Sequence, residues 1–281
     1  MRAMIKIELK RAFANRAYLL ALCIGLGIVI WHLFTAVIPF AGDFDTYYQQ
    51  ILSMPDNIYP STVYNRWFDT HALPGASDGA SLFFFILPLL ICIPYVGSYH
   101  SDRSSGYAAN VVVRTKSSTY YTAKLLAIFL SAASIAVIPL VFSLFTTALF
   151  YPPIVPEATT FGYPINARSY WADIFYSAPT LYYALYFTLI AVTAGLLALL
   201  GAVIAHFVGH VLFCLVTPFA VCTFYSYLLG AFNLSHYSPT SFMRPSQPNA
   251  PDLTWVLFTV AVLAIGLGAF FFLTLRKAEH Y

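Results

Sequence analysis

Apolar residues in this chain come in six blocks, each close to or above the roughly 20 residues a helix needs to cross a hydrocarbon core of about 30 Å. The blocks run over 18–40, 81–100, 125–150, 179–205, 211–233 and 253–275. No Lys, Arg, Asp or Glu occurs from 180 to 230. As one straight helix that stretch would reach about 75 Å, so it must fold back. His206-Phe207-Val208-Gly209-His210 is the turn this pattern predicts. The expected fold is an all-α polytopic membrane protein with six transmembrane helices in a single transmembrane domain covering 1–281.

Ahead of the first block, 1–17 has a different rhythm. Ile5, Leu9, Ala12 and Phe13 form a stripe at helical spacing, opposed by Arg2, Lys6 and Lys10 at steps of four. Such a basic amphipathic helix is expected to lie in the membrane interface, with its apolar face in the acyl boundary. Its simpler reading is a flank that only sets orientation. A cleavable signal has an apolar region of about 7–15 residues, which the first block exceeds, so that block is expected to remain as an anchor.

Charge sharpens the arrangement. All 14 Lys and Arg and all 11 Asp and Glu lie outside the six blocks. Alternate connecting segments carry eleven basic residues on one side and three on the other. By the positive-inside rule both termini, the loop 101–124 and the turn at 206–210 face the cytoplasm. The loops 41–80 and 151–178 are then extracytoplasmic. With 60% hydrophobic and 9% charged residues and a mean hydropathy of +0.74, the chain has too few charges for a water-facing surface. Cys23, Cys92, Cys214 and Cys222 all lie in apolar blocks, so no disulfide framework is expected.

The outer loops hold aromatic rings. Tyr47, Tyr48, Tyr64, Trp67, Tyr170 and Trp171 suit the headgroup layer, either as anchors or as the lid of an exit vestibule. Pro88 and Pro94 in the second block, Pro139 in the third and Pro218 in the fifth each remove a helical hydrogen bond and can kink a span.

Between the second and third blocks the chain reads Tyr99-His100-Ser101-Asp102-Arg103-Ser104-Ser105-Gly106, then Val111-Val112-Val113-Arg114-Thr115-Lys116, then Tyr120-Tyr121-Thr122-Ala123-Lys124. This is a polar turn, a small amphipathic element and a basic return to the membrane. It is suited to present a charged knob to a soluble partner. Gly106 permits a turn or close approach closed to other residues.

On these residues the chain resembles the permease subunits of type-2 ATP-binding-cassette (ABC) exporters. Asp102 and Gly106 match an acidic residue followed four positions later by Gly. Arg114 or Lys116, Tyr120 or Tyr121, and Lys124 match the lead into the third span. Ser117, Ser118 and Thr119 depart from the Pro or Arg common in that family before the Tyr. The resemblance implies a coupling loop seated in an ATPase, carried by Asp102, Arg103, Gly106, Arg114, Lys116, Tyr120 and Lys124. It also implies an interfacial connector helix with Lys6, Lys10, Arg11 and Phe13. The implied partners are ABC ATPase subunits, a second permease subunit (homodimer or related heterodimer partner) and the lipid bilayer, with no nucleic acid. The implied location is the bacterial cytoplasmic membrane.

No Gly-rich phosphate loop followed by Lys and Ser or Thr occurs in the sequence. ATP and Mg2+ are therefore expected on the partner ATPase, with no cofactor, catalytic residue or metal ligand assigned here. The aromatic, apolar character favours a lipophilic drug, lipid-like molecule or amphipathic peptide as cargo. An ion-coupled secondary transporter remains an alternative, with His32 the one titratable candidate inside a span. So does a non-transporting scaffold or immunity protein. A membrane enzyme would need a metal at His206, His210 and Cys214, which share a face only if the helix runs on through Gly209.

Overall fold

The structure, a computed structural model, describes residues 1–41, 62–68, 78–156, 165, 169–245 and 252–279. Tyr47 and Tyr48 lie outside the described residues. The longer helices are α1 (Arg2–Phe13), α2 (Arg16–His32), α5 (Asp78–Leu90), α6 (Val96–Ser104), α7 (Tyr107–Arg114), α8 (Ser117–Ala148), α10 (Pro179–Ile204), α11 (Val211–Ala231) and α13 (Leu253–Glu279). Short helices α3 (Ile38–Ala41), α4 (Val63–Arg66), α9 (Ala172–Ser177) and α12 (Pro239–Phe242) lie between them. A π-helical turn, Leu33–Val37, joins α2 to α3.

Five helices are long and apolar enough to cross a membrane: Arg16–Val37, Ser117–Ala148, Pro179–Ile204, Val211–Ala231 and Leu253–Thr274. The chain is a multi-pass membrane protein by helix length and hydropathy. The second block differs from the single helix expected over 81–100. It is a 13-residue helix, a turn at 91–95 and the 9-residue α6. Pro94 explains the break, because a prolyl ring has no N–H and clashes with the carbonyl four residues earlier. That carbonyl belongs to Leu90, where α5 ends.

The helix of the third block also departs from its expected start at 125. It begins eight residues earlier and is 32 residues long, about 48 Å. That exceeds the hydrocarbon core by several turns. The apolar run begins at 125, while the helix starts among the polar residues before it. At the same end of the bundle as the start of α8, the fold-back between α10 and α11 falls at 205–210.

Of the five long apolar helices α8 and α10 are the most enclosed, and α11 and α13 leave most of their surface open to the surroundings. Small residues let α8 and α10 approach closely: Ala127, Ala132, Ala194 and Ala198 are fully buried. Gly195 faces the Phe129 ring with no room for a β-carbon. In lipid such packing, rather than the hydrophobic effect, holds helices together.

Candidate functional site

The four ion pairs among the described residues all fall in one place, where α1, the α5–α6 break and the start of α8 meet. Arg11 lies 2.9 Å from the Glu8 carboxylate and makes a fork to Asp102, at 3.1 and 2.8 Å. Lys124 Nζ donates to Asp102 Oδ2 at 2.6 Å and lies 3.3 Å from Glu8 Oε2. Each cation therefore touches both acids, and each acid both cations. Two positive and two negative charges close into a neutral ring.

Local structure explains how the ring assembles. Glu8 interrupts the stripe Ile5–Leu9–Ala12 and so faces inward with it; Glu8 and Ala12 are both fully buried. Ala14 and Asn15 break the chain between α1 and α2. The Asn15 side chain accepts from Ala17 N–H at 3.0 Å, capping α2, and donates to the Pro94 carbonyl at 3.0 Å. That second bond fixes the α5–α6 break against the α1–α2 junction. It brings the Tyr95 hydroxyl to Glu8 Oε2, to which it donates at 2.6 Å. Tyr120, one turn before Lys124 on α8, donates to Asp102 Oδ2 at 2.8 Å. Ring faces complete the shell: Lys124 Nζ is 4.3 Å from the Tyr95 centroid, and the Arg11 guanidinium 4.8 Å from that of Tyr107.

Burial by itself raises the Asp102 carboxyl, but hydrogen bonds from Arg11 and Lys124, and Lys124's charge, reverse this and hold it below the ordinary carboxylate range. The hydrogen bond to Asp102 likewise raises the Arg11 guanidinium against its partial desolvation. A buried ion pair gains little over an apolar core of the same shape, but losing one partner strands a charge and costs about 3–5 kcal/mol. The ring is therefore a device for fixing position. It pins the N-terminal helix to α6 and to the start of α8.

The residues assigned to the loop divide into two groups. Asp102, Tyr120 and Lys124 point into the bundle and do not form an exposed knob; Lys124 is wholly buried. Arg103, Arg114 and Lys116 are exposed. Gly106 has a φ of +73°, the left-handed conformation that turns α6 into α7. α7 buries Ala108 and leaves Val113 88% exposed beside Arg114. On α1, Lys6 and Lys10 are exposed, Arg11 is in the ring, and Phe13 packs edge-on to Tyr18 at 5.0 Å. The α1 face expected to lie in lipid packs instead largely against α8.

Sequence reading missed Glu8 and Tyr95. The available signal was an acid on the apolar stripe of an otherwise basic helix, which demands a buried cation. Tyr95 carried no comparable mark.

Elsewhere, Tyr64, Trp67 and Tyr170 are buried against α10 and do not face a headgroup layer. Tyr64 stacks on Tyr183 at 5.7 Å, Trp67 meets the same ring edge-on at 4.9 Å, and Tyr170 stacks on Tyr186 at 5.5 Å. Trp171 is half-buried beside Tyr186. The α10 tyrosines offer enough apolar area to draw these rings inward. His32 is buried beside the π turn, edge-on to Phe68 at 4.9 Å.

The turn at 205–210 separates His206 from the helix that carries Cys214. His206 Nδ1 is 3.1 Å from the Tyr99 hydroxyl, and His210 Nδ1 accepts from Leu212 N–H at the start of α11. Among the described residues no group of three His, Cys, Asp or Glu could hold a metal ion. All four cysteines are free. No family model, curated protein or solved structure matches the chain.

Proposed function

We propose that this chain is the membrane-spanning permease subunit of an ATP-driven ABC exporter, with ATP hydrolysed on a separate subunit. The observation that supports it best is the closed ring of Glu8, Arg11, Asp102 and Lys124. It joins the N-terminal helix and the α6–α7 loop into one block at the foot of the longest span.

A subunit driven by a soluble motor needs a rigid handle outside the bilayer that moves its helices when pushed. In this reading α7 is the handle. Arg114, Lys116 and the bare Val113 offer charge and apolar area to an ATPase groove, and Arg103 lies on the same loop. Asp102, Tyr120 and Lys124 carry displacement of that loop into α8, while Gly106 sets the angle between α6 and α7. Lys6 and Lys10 on α1 face outward from the block, towards the anionic inner leaflet or the same partner. Two such subunits, identical or related, would enclose the pathway in a bacterial cytoplasmic membrane, and the aromatic, apolar composition of the chain favours an apolar or amphipathic cargo.

Gentle detergent purification of the tagged chain tests this reading. A nucleotide-binding subunit is expected to co-purify at one copy per permease. Vesicles holding both are expected to hydrolyse ATP in step with export. Full export by the chain alone, driven by an ion gradient, would refute the proposal.

A further inference from the structure

We propose that the pocket between the end of α6 and the 205–210 turn holds the phosphate of an anionic phospholipid, with Arg103 as its fixed charge. The pocket has a volume of about 340 Å³, and its lining includes His100, Arg103, Ser104, His206, Phe207 and Gly209. The lining contains donors and one guanidinium but no acid. Its nearest acidic neighbour in sequence, Asp102, is turned the other way and occupied by Arg11, Tyr120 and Lys124.

Arg103 spends one nitrogen on the His206 carbonyl, at 3.0 Å. This single bond holds the side chain across the pocket wall and leaves the remainder of the planar fork for another acceptor. A phosphodiester matches that fork in charge and geometry. The Tyr99 hydroxyl engages His206 at Nδ1, leaving Nε2 for a ligand. Burial, and then the charge of Arg103, push the His206 pKa down. The imidazole therefore supplies a neutral contact and Arg103 the charge.

An apolar shelf beside the pocket favours a lipid over a soluble phosphate. Phe207 is 74% exposed, its ring centroid lies 5.8 Å from that of Phe270 on α13, and Phe270 also meets His206 edge-on at 5.5 Å. The turn joins two helices long and apolar enough to span a membrane, which on this proposal sets the pocket at headgroup depth, with the Phe207 and Phe270 rings beside it. A phosphate against Arg103 and an acyl chain along Phe207 and Phe270 would satisfy both halves. Basic pockets between spans are a recurrent way to bind anionic headgroups. This assignment does not depend on the exporter reading.

The test reconstitutes the full chain in nanodiscs of equal dioleoyl phosphatidylcholine and dioleoyl phosphatidylglycerol, then counts retained lipid by native mass spectrometry after transfer to detergent. Phosphatidylglycerol is expected to be retained in preference, and Arg103→Gln to weaken that retention about tenfold or more. Arg103→Lys is expected to keep much of it, which separates loss of charge from loss of fold. Arg2→Gln, at an exposed cation outside the pocket, is expected to retain lipid as the wild type does. Equal retention of the two lipids, or unchanged retention in Arg103→Gln, would overturn the proposal. So would displacement of phosphatidylglycerol by inorganic phosphate, which would assign the pocket to a soluble phosphate ester.

Discussion

Lys124 and Asp102 are 22 residues apart in the chain, and their charged atoms are 2.6 Å apart. The lysine is fully buried, so the carboxylate, together with Glu8, stands in for the water it has lost. This relation makes the foot of α8 dependent on a residue of α6 and on the N-terminal helix together. Removing either acid leaves a buried positive charge in excess.

Asp102→Asn should therefore destabilise the fold by about 3–5 kcal/mol, the cost of breaking a buried pair by taking one partner. The exchange Asp102→Lys with Lys124→Asp keeps the ring neutral and is expected to recover a good part of that loss. Thermal unfolding of the wild type, Asp102→Asn, Asp102→Lys, Lys124→Asp and the double exchange in one detergent would read both effects. A charge swap no better than the single changes would show that the ring has no electrostatic role.

Acid should release α1 only at unusually low pH. The Asp102 carboxyl is held below its ordinary value, so its contribution is complete above the unfolded carboxylate value of about 3.9 and is lost as pH falls through the depressed one. A fluorophore on a cysteine placed at Lys6, in a chain whose own cysteines are replaced, would follow the helix. Its signal is expected to stay flat from neutral pH to about 5 and to change only below about 4. A transition near pH 6 would mean that another group controls the docking.

The apolar blocks were legible because lipid imposes one simple requirement, an uninterrupted run of apolar side chains. That the chain folds back followed from length, and His206, Gly209 and His210 marked the place. The broken second block was harder. Pro88 is accommodated inside α5, whereas the helix ends ahead of Pro94, where Asn15 and Tyr95 make contacts between distant parts of the chain. Of the ring and its shell, Asp102, Lys124 and Tyr120 were marked by a loop pattern that resembles a known family, and Arg11 by the connector helix which that resemblance implies, yet their inward direction was not. Direction depends on which cation meets which acid across more than 80 residues, as Arg11 and Asp102 do, and local sequence carries no such pairing. Glu8 could have been found by asking what a carboxylate on an apolar stripe must touch.

Surface changes on α7 should separate assembly from folding. Val113 and Arg114 touch no part of the ring and are exposed, so Val113→Asp with Arg114→Glu is expected to leave the unfolding temperature within a few degrees of wild type. On the exporter reading the same pair should abolish co-purification of the ATPase, because it replaces an apolar and a basic contact with two acids. Retained ATPase in the doubly changed protein would remove α7 from the contact.

Pro94 gives a sharper test of how the site is built. With alanine there, the ring clash with the Leu90 carbonyl disappears and a backbone N–H becomes available, so α5 can continue into α6. Continuing the helix would turn each later residue by about 100° relative to its present direction for every residue absorbed. Tyr95 would then swing away from Glu8 and from the face of Lys124, and Asp102 would leave the fork of Arg11. Pro94→Ala is thus expected to lose stability although it removes a helix breaker, and to expose α1 to proteolysis at Lys10 and Arg11. Asn15→Ala, which releases the Pro94 carbonyl and uncaps α2, should loosen the same helix while costing about 1 kcal/mol for the cap itself. If Pro94→Ala were instead more stable and equally resistant to trypsin, the break at 91–95 would not be what positions the ring.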